Sequence, residues 1–565
     1  MKQTTLQLWK LLLPYKINII IIVLCLLISG GFSLILPIIS SSIMDDGFIA
    51  GNQTLLIKLV LLMLFLNLLS VILDLLKENI RISMQNQLNF TLSKEAIDHL
   101  HKVKIDYFNK NNHSQIFNMV HTDIESICQV AEQSLFFAFT QIFTIIGGSI
   151  GLFILNYKLA ILVMFLIPIK YLITSLFSKK IQASMFGFIK ASEAYAKWFG
   201  DTFTSIRDVK LFNLKSNKMQ EFSLVKNKEL LQNKKFNCIN IYSSAIDKSL
   251  IQLMISALYI FGAVQVFSLE TTLGSILAFI TYSVYVTSPI TAIVNIKQHL
   301  YQIFPSINRF NEFMSLEEDK IGCISKLNNY NIEFDKVAFS YNDNNHVLNN
   351  VSFKIPQGSK IAIVGSNGSG KTTILNLLLR LYEVDKGSIF ISDCNITDVD
   401  LSFYRSLFSV VSQDVYLFND TIRNNICLYK NYSEEKINKV IKLCGLSETI
   451  KEKTLDYIIG DKGSLLSGGQ KQKISLARAI LHDAPIFILD EATSNTDAAS
   501  EKFIITDVLP TLKGKTIITI THNNNYLYAN DFILLLKDGN IVAYGKYDDL
   551  IKSNTAFKKF VEYEN

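Results

Sequence analysis

From Ile17 to about residue 300 the chain alternates long apolar runs with polar, mostly basic stretches. The runs fall at about 17–40, 56–76, 135–155, 159–178, 249–268 and 273–295. Each is close to the ~20 residues that carry a helix across a bilayer. The first is too long for the core of a secretion signal and lacks a convincing cleavage site. Around Asp98–Asp123 and Asp201–Phe222 apolar and charged residues recur at helical spacing, so helices are expected to continue out of the membrane there. Beyond Asn331 the pattern changes. Short apolar runs such as Ile361-Ala362-Ile363-Val364 alternate with helical stretches, which reads as an α/β domain. The spacing therefore predicts a membrane domain over 1–311, a polar linker over 312–330 and a soluble domain over 331–565.

Composition and charge fit that division. The chain has 565 residues, 49% of them hydrophobic and only 18% charged, too apolar for a soluble protein of this size. The net charge of +6 suits basic cytoplasmic loops, and no nucleic-acid partner is expected. Lysines precede the first run and fill the long segments 77–132 and 179–248, whereas the short connections hold Asp45, Asp46 and Glu270 with a single base, Lys158. By the positive-inside rule both termini face the cytoplasm, and six spans satisfy that parity. The seven cysteines are scattered, without metal-like spacing, and read as reduced thiols.

The chemistry lies in the soluble half. Gly365-Ser366-Asn367-Gly368-Ser369-Gly370-Lys371-Thr372-Thr373 follows an apolar strand and opens a helix, the context of a phosphate-binding loop. Glycines let successive N–H groups turn toward phosphate oxygens, Lys371 reaches the β- and γ-phosphates, and Thr372 ligates Mg²⁺. A second apolar strand, Ile486–Leu489, ends in Asp490 and Glu491. Asp490 is placed to hold the Mg²⁺ shell and Glu491 to orient or deprotonate water. An acid pair after a strand is common in α/β proteins and does not by itself choose among P-loop enzymes.

Leu466-Ser467-Gly468-Gly469-Gln470, about twenty residues upstream of the acids, narrows the choice. With the P-loop, Gln413, the acid pair and Thr521-His522 in that order, the chain resembles the ATP-binding cassette family throughout. Six spans ahead of one cassette resemble an exporter-type half-transporter. The expected fold is an all-α transmembrane domain of six long helices, followed by an α/β P-loop domain with a helical subdomain. The resemblance implies that Tyr341 stacks on adenine. It gives Gln413 a contact to Mg²⁺ or the attacking water, and His522 a contact to the γ-phosphate. Ser467, Gly468, Gly469 and Gln470 would bind nucleotide held by another subunit, and Asp497 would lie in a loop crossing between subunits. One departure stands out: Ser494-Asn495-Thr496-Asp497 replaces the usual Ser-Ala-Leu-Asp.

With one P-loop and one signature motif per chain, a homodimer is expected, a heterodimer remaining open. The expected cofactors are ATP and Mg²⁺, and the expected place is a bacterial inner membrane. Tips near Asn109–Ser114 and Asp201–Asp208 are expected to grip the cassette. Lys170, Asp74, Gln252, Tyr282 and Tyr285 are candidates to line a cargo cavity, because polar groups are costly in lipid. The chain begins just before its first span, so leader-peptide cleavage is not expected. The expected cargo is a mature antibacterial peptide or drug-like compound. The alternatives are a lipid or lipid-linked glycan, or an ATP-gated regulator or channel that does not pump.

Overall fold

The computed structural model describes residues 13–110, 116–117, 119–128, 134–341, 346–490, 504–521, 527–528 and 530–563. The chain divides into two compact units, one of residues 1–101 and 112–316, the other of Lys102–Asn111 and Glu317–Asn565.

The first unit is helical. Its main helices are α1 (Lys16–Ser42), α2 (Gln53–Lys102), α5 (Ser134–Leu155), α6 (Tyr157–Thr204), α8 (Lys215–Phe267) and α9 (Leu273–Met314). Short helices α3 (Ile105–Lys110, in the second unit), α4 (Ile124–Cys128) and α7 (Ile206–Leu211) connect them. At about 1.5 Å per residue, α2, α6 and α8 far exceed a hydrocarbon core of about 30 Å. Their apolar parts lie at one end and their lysine-rich parts at the other, so each spans the bilayer and runs on into water. Small residues let the spans approach: a Cβ on Gly151 of α5 would come within 2.9 Å of the Tyr282 ring of α9. Tyr282 is buried, and its hydroxyl donates to the Leu34 carbonyl of α1. At the α1–α2 connection Asp45 accepts from Thr272 Oγ1 (2.6 Å) and Gly274 N (2.9 Å), closing the start of α9. Nearby, Lys158 and Glu270 pair at 2.9 Å.

The second unit holds two sheets. An antiparallel sheet orders β2 (His346–Ile355), β1 (Ile332–Ser340), β4 (Lys386–Ile391) and β5 (Cys394–Asn395). The larger sheet runs β10 (Asn540–Gly545), β9 (Phe532–Lys537), β3 (Lys360–Gly365), β8 (Thr516–Ile520), β7 (Ile486–Asp490), β6 (Phe408–Val411). From β9 to β6 it is parallel. Ile361–Val364 of β3 and all of β8 are buried, and both strands are rich in isoleucine, as interior strands of a parallel sheet covered on both faces should be. The helix after β3 is α10 (Lys371–Leu378), and α11 (Leu401–Ser406) leads into β6. A helical part, α12 (Ile422–Cys427), α13 (Glu434–Leu443), α14 (Ser447–Lys453) and α15 (Gly468–His482), packs on its own apolar cluster. The polar stretch after α9 is fastened to this unit: Cys323 N and Ile324 N both donate to the Asp398 carbonyl, and Arg380 donates to the Lys320 carbonyl at 2.7 Å.

Candidate nucleotide site

β3 runs into the loop Ser366–Gly370, and α10 starts at Lys371. Glycine makes that path available. Gly365 and Gly370 lie at φ +148° and +105°, and a Cβ would fall 2.2 Å from Leu536 O at the first and 2.6 Å from Leu348 Cδ2 at the second. Lys371 is buried, and its Nζ donates to the carbonyls of Gly365 (2.7 Å) and Ser366 (3.1 Å), which holds the ammonium on the loop. Ser369 Oγ is buried without a hydrogen-bond partner among the described residues. An unsatisfied buried hydroxyl costs about 1–3 kcal/mol, and a phosphate oxygen would satisfy it. The loop's residues therefore fit a phosphate group. Thr372 faces solvent on the first turn of α10, whereas Thr373 is buried, 3.2 Å from the Tyr341 hydroxyl.

Sheet register assembles the other candidates. Ile363 of β3 and Asp490 of β7 both pair with Ile520 of β8, and Leu489 pairs with Val411 of β6. The parallel strands thus end level. That edge carries Gly365, Thr521, Asp490 and, two residues past β6, the exposed Gln413. The carboxyl edge of such a sheet is where α/β folds bind ligands. Glu491, Asp497, His522 and the Asn495-Thr496 departure lie outside the described residues.

The signature motif is built differently. Ser467 caps α15, its Oγ accepting from Gln470 N (3.3 Å) while Ser467 N donates to Gln470 Oε1 (3.0 Å). Ser467 and Gly468 are exposed, and no atom lies within 4 Å of a Cβ built on Gly468 or Gly469. The N–H end of a fifteen-residue helix, which attracts anions, is open on the surface of this unit.

Two networks join residues that lie far apart in the sequence. Arg478 of α15 donates to Asn425 O (2.9 Å) and Tyr416 O (3.2 Å), tying the signature helix to the stretch that follows Gln413. Burial pushes this guanidinium below its usual pKa. The second begins at Tyr341, half-buried, with its ring edge-on to Phe339 and Tyr382 at centroid distances of 4.9 and 5.1 Å. Tyr382 in turn accepts from Asn109 Nδ2 at 2.5 Å. Asn109 belongs to the segment Lys102–Asn111, which lies between the second and third apolar runs yet packs within the second unit. Lys104 of that segment pairs with Glu317 at 2.7 Å. Their hydrogen bond raises the Lys104 pKa and lowers that of Glu317. Of the two expected tips, residues 111–115 fall outside the described residues. Around the other, Phe203 and Ile206 are exposed.

The cargo candidates are not brought together. Asp74 is exposed and pairs with Lys77 at 2.7 Å, Gln252 is exposed, and Tyr282 is a packing residue between α1, α5 and α9. Tyr285 is half-buried beside Tyr282, ring centroids 6.4 Å apart. Lys170 is buried and lies 2.9 Å from Asp247, an acid just before the fifth apolar run that no local pattern marks.

Known proteins share this arrangement. Residues 348–494 match the ABC transporter family, and residues 19–290 match the ABC transporter transmembrane region. A Rickettsia typhi protein named as an export ATP-binding/permease protein is 30% identical over 573 residues, spanning 98% of this chain and 97% of its own length. The ATP-dependent lipid A-core flippases of Wigglesworthia glossinidia brevipalpis and Escherichia coli K12 are 29% and 27% identical, each over at least 97% of this chain and 96% of their own length. A solved structure of a bacterial Atm1-family ABC exporter with ATP bound superposes with a TM-score of 0.84, covering 97% of this chain and 98% of the other at 20% identity.

Proposed function

The chain belongs to the ABC transporter family, and on that premise we propose that two copies of it form a flippase for a lipid-like amphiphile. At the coarser level it is a multi-pass membrane ABC exporter that binds ATP and couples its hydrolysis to transport. The observation that carries the dimeric reading is the exposed N-terminus of α15. Its capped serine and open glycines present an anion site with nothing within 4 Å of either glycine's Cβ position among the described residues.

In this reading each ATP lies between the P-loop of one copy and Ser467, Gly468 and Gly469 of the partner subunit. Lys371 exchanges the carbonyls of Gly365 and Ser366 for β- and γ-phosphate oxygens, and the Ser369 hydroxyl gains an acceptor. Thr372, Gln413 and Asp490 would hold Mg²⁺, which neutralises charge on the phosphates. Tyr341 offers a ring to adenine while its hydroxyl braces α10. Glu491 positions and deprotonates the attacking water, His522 holds the γ-phosphate, and Asp497 crosses toward the partner. Arg478 makes α15 and the stretch after Gln413 move as one. The contacts Asn109–Tyr382–Tyr341–Thr373 give membrane-derived chain a route to the P-loop helix. The exposed Phe203 and Ile206 would dock on a cassette, since apolar side chains at a wet tip invite cover.

For cargo, relatives named lipid A-core flippases align along the whole chain, and they favour a lipid-like amphiphile over a peptide or drug. The proposed setting is a bacterial inner membrane with both termini cytoplasmic. The test is ATP-dependent translocation of tail-labelled lipid in proteoliposomes. Wild type should move lipid, and Glu491→Gln should stop both translocation and ATP turnover. ATP turnover that survives Glu491→Gln would contradict the assigned chemistry.

A further inference from the structure

Within the six expected spans the sequence carries three charges, Lys58, Asp74 and Lys170. Lys58 is exposed, and Asp74 is exposed and paired within its own helix. Lys170 is different: it is 4% exposed, on α6, and its counter-charge comes from another helix. Asp247 Oδ1 of α8 lies 2.9 Å away, and Thr291 Oγ1 of α9 donates to that same oxygen at 3.0 Å. A single carboxylate oxygen thus joins three helices.

Fold stability does not explain the pair. Taking two charges out of water costs more than their attraction returns unless every donor is well satisfied, and apolar residues of similar size often do better. Here the Asp247 carboxylate, 2.9 Å away, is the counter-charge of the Lys170 ammonium among the described residues. An ammonium holds three donors, and one carboxylate oxygen shared with Thr291 does not satisfy all of them. Around it lies a pocket of about 20 Å³, walled by Leu166, Ile169, Leu250, Ile251, Met254 and Thr287. That is room for about one water. A group larger than a water fits beside Lys170 only if α6 and α8 part, which would take Asp247 away. Asp247 keeps 23% of its side chain exposed, so it rehydrates readily when released.

We propose that Lys170 receives the anionic, phosphate-like headgroup of the cargo, taking it in place of the Asp247 carboxylate. The idea rests on the lipid reading above and adds the charge of the cargo. The apolar walls suit acyl chain, and one desolvated cation fixes the headgroup. A neutral headgroup brings no charge to replace Asp247, and a zwitterionic one brings a cation of its own to Lys170. Cargo binding then separates α6 from α8 by competition for a single ammonium.

The test compares tail-labelled phosphatidylglycerol with phosphatidylcholine of the same tail in proteoliposomes, reading ATP-dependent translocation. Wild type should move the anionic lipid roughly fivefold faster or better. Lys170→Met should bring the two rates within about twofold, and Lys170→Arg should keep the preference. Asp247→Asn, which frees Lys170, should strengthen it. If Lys170→Met misfolds, the double variant Lys170→Met/Asp247→Asn removes both charges and should fold without preference. A preference that survives loss of Lys170, or a wild type indifferent to headgroup charge, would overturn the proposal while leaving the lipid reading intact. Wild type that hydrolyses ATP but moves neither lipid would overturn both. Equal occupancy by glycerol 3-phosphate, read as competition at millimolar concentration, would assign the site to free anions instead of lipid.

Discussion

Gly370 and Gly468 sit in the two glycine motifs, yet alanine should act on them in opposite ways. At Gly370 a Cβ meets Leu348 Cδ2 at 2.6 Å in a backbone already at φ +105°. Alanine there should cost about 1–3 kcal/mol, seen as a lowered thermal midpoint of the purified protein, with nucleotide binding lost as well. Gly468 meets nothing within 4 Å and has ordinary φ. Gly468→Ala should leave the midpoint unchanged and cut ATP turnover at least about tenfold, because its Cβ would stand where a partner's nucleotide docks. An equal loss of stability at both sites would refute the distinction. The P-loop and signature residues were legible because their chemistry is local, a run of glycines before a helix. Arg478 and Asp247 were not. Each acts on a residue far away in sequence, Asn425 or Lys170, and no local pattern announces such a partner.

Among the elements, α3 and the residues beside it are the most informative. Lys104 and Asn109 fasten a piece of chain from between two membrane runs to the cassette, through Glu317 and Tyr382. Asn109→Ala and Tyr382→Phe should uncouple the protein, lowering transport per ATP hydrolysed roughly threefold or more, while hydrolysis persists. The double variant should be no worse than either single one if the two residues act through their shared bond. Independent, additive losses would contradict the route. The pH sign follows from the ion pair. Lowered Glu317 keeps the contact charged above the ordinary glutamate range, and it is lost only as pH falls through the depressed value. Raised Lys104 extends it upward past the usual lysine pKa. Coupling should therefore not vary through this pair across neutral pH. The six long helices and the α/β alternation were legible from apolar period and run length. Strand order was not: β3 lies between β8 and β9, some 150 residues later, and crossovers hide that adjacency from any local reading. The same is true of segment 102–111, whose helical spacing said nothing about which unit it joins.

At the scale of the molecule, the proposed working unit is two copies of this chain. The apolar face of α2 bears Leu61, Leu64, Phe65, Leu68, Val71 and Ile72 exposed, a surface for lipid or for another copy. The cassette offers a P-loop with an unsatisfied serine and, separately, a signature helix whose anion-binding end is bare. If each ATP needs one of each from different copies, two defective proteins should repair one another. The direct measurement is to mix protomers carrying Lys371→Ala with protomers carrying Ser467→Arg, allow them to exchange, and follow ATP hydrolysis in lipid. Either variant alone should be inactive. A random mixture should recover activity from about a quarter of the normal sites, because mixed dimers hold one intact P-loop facing one intact signature. No recovery after verified exchange, or full turnover by a single isolated chain, would contradict the account.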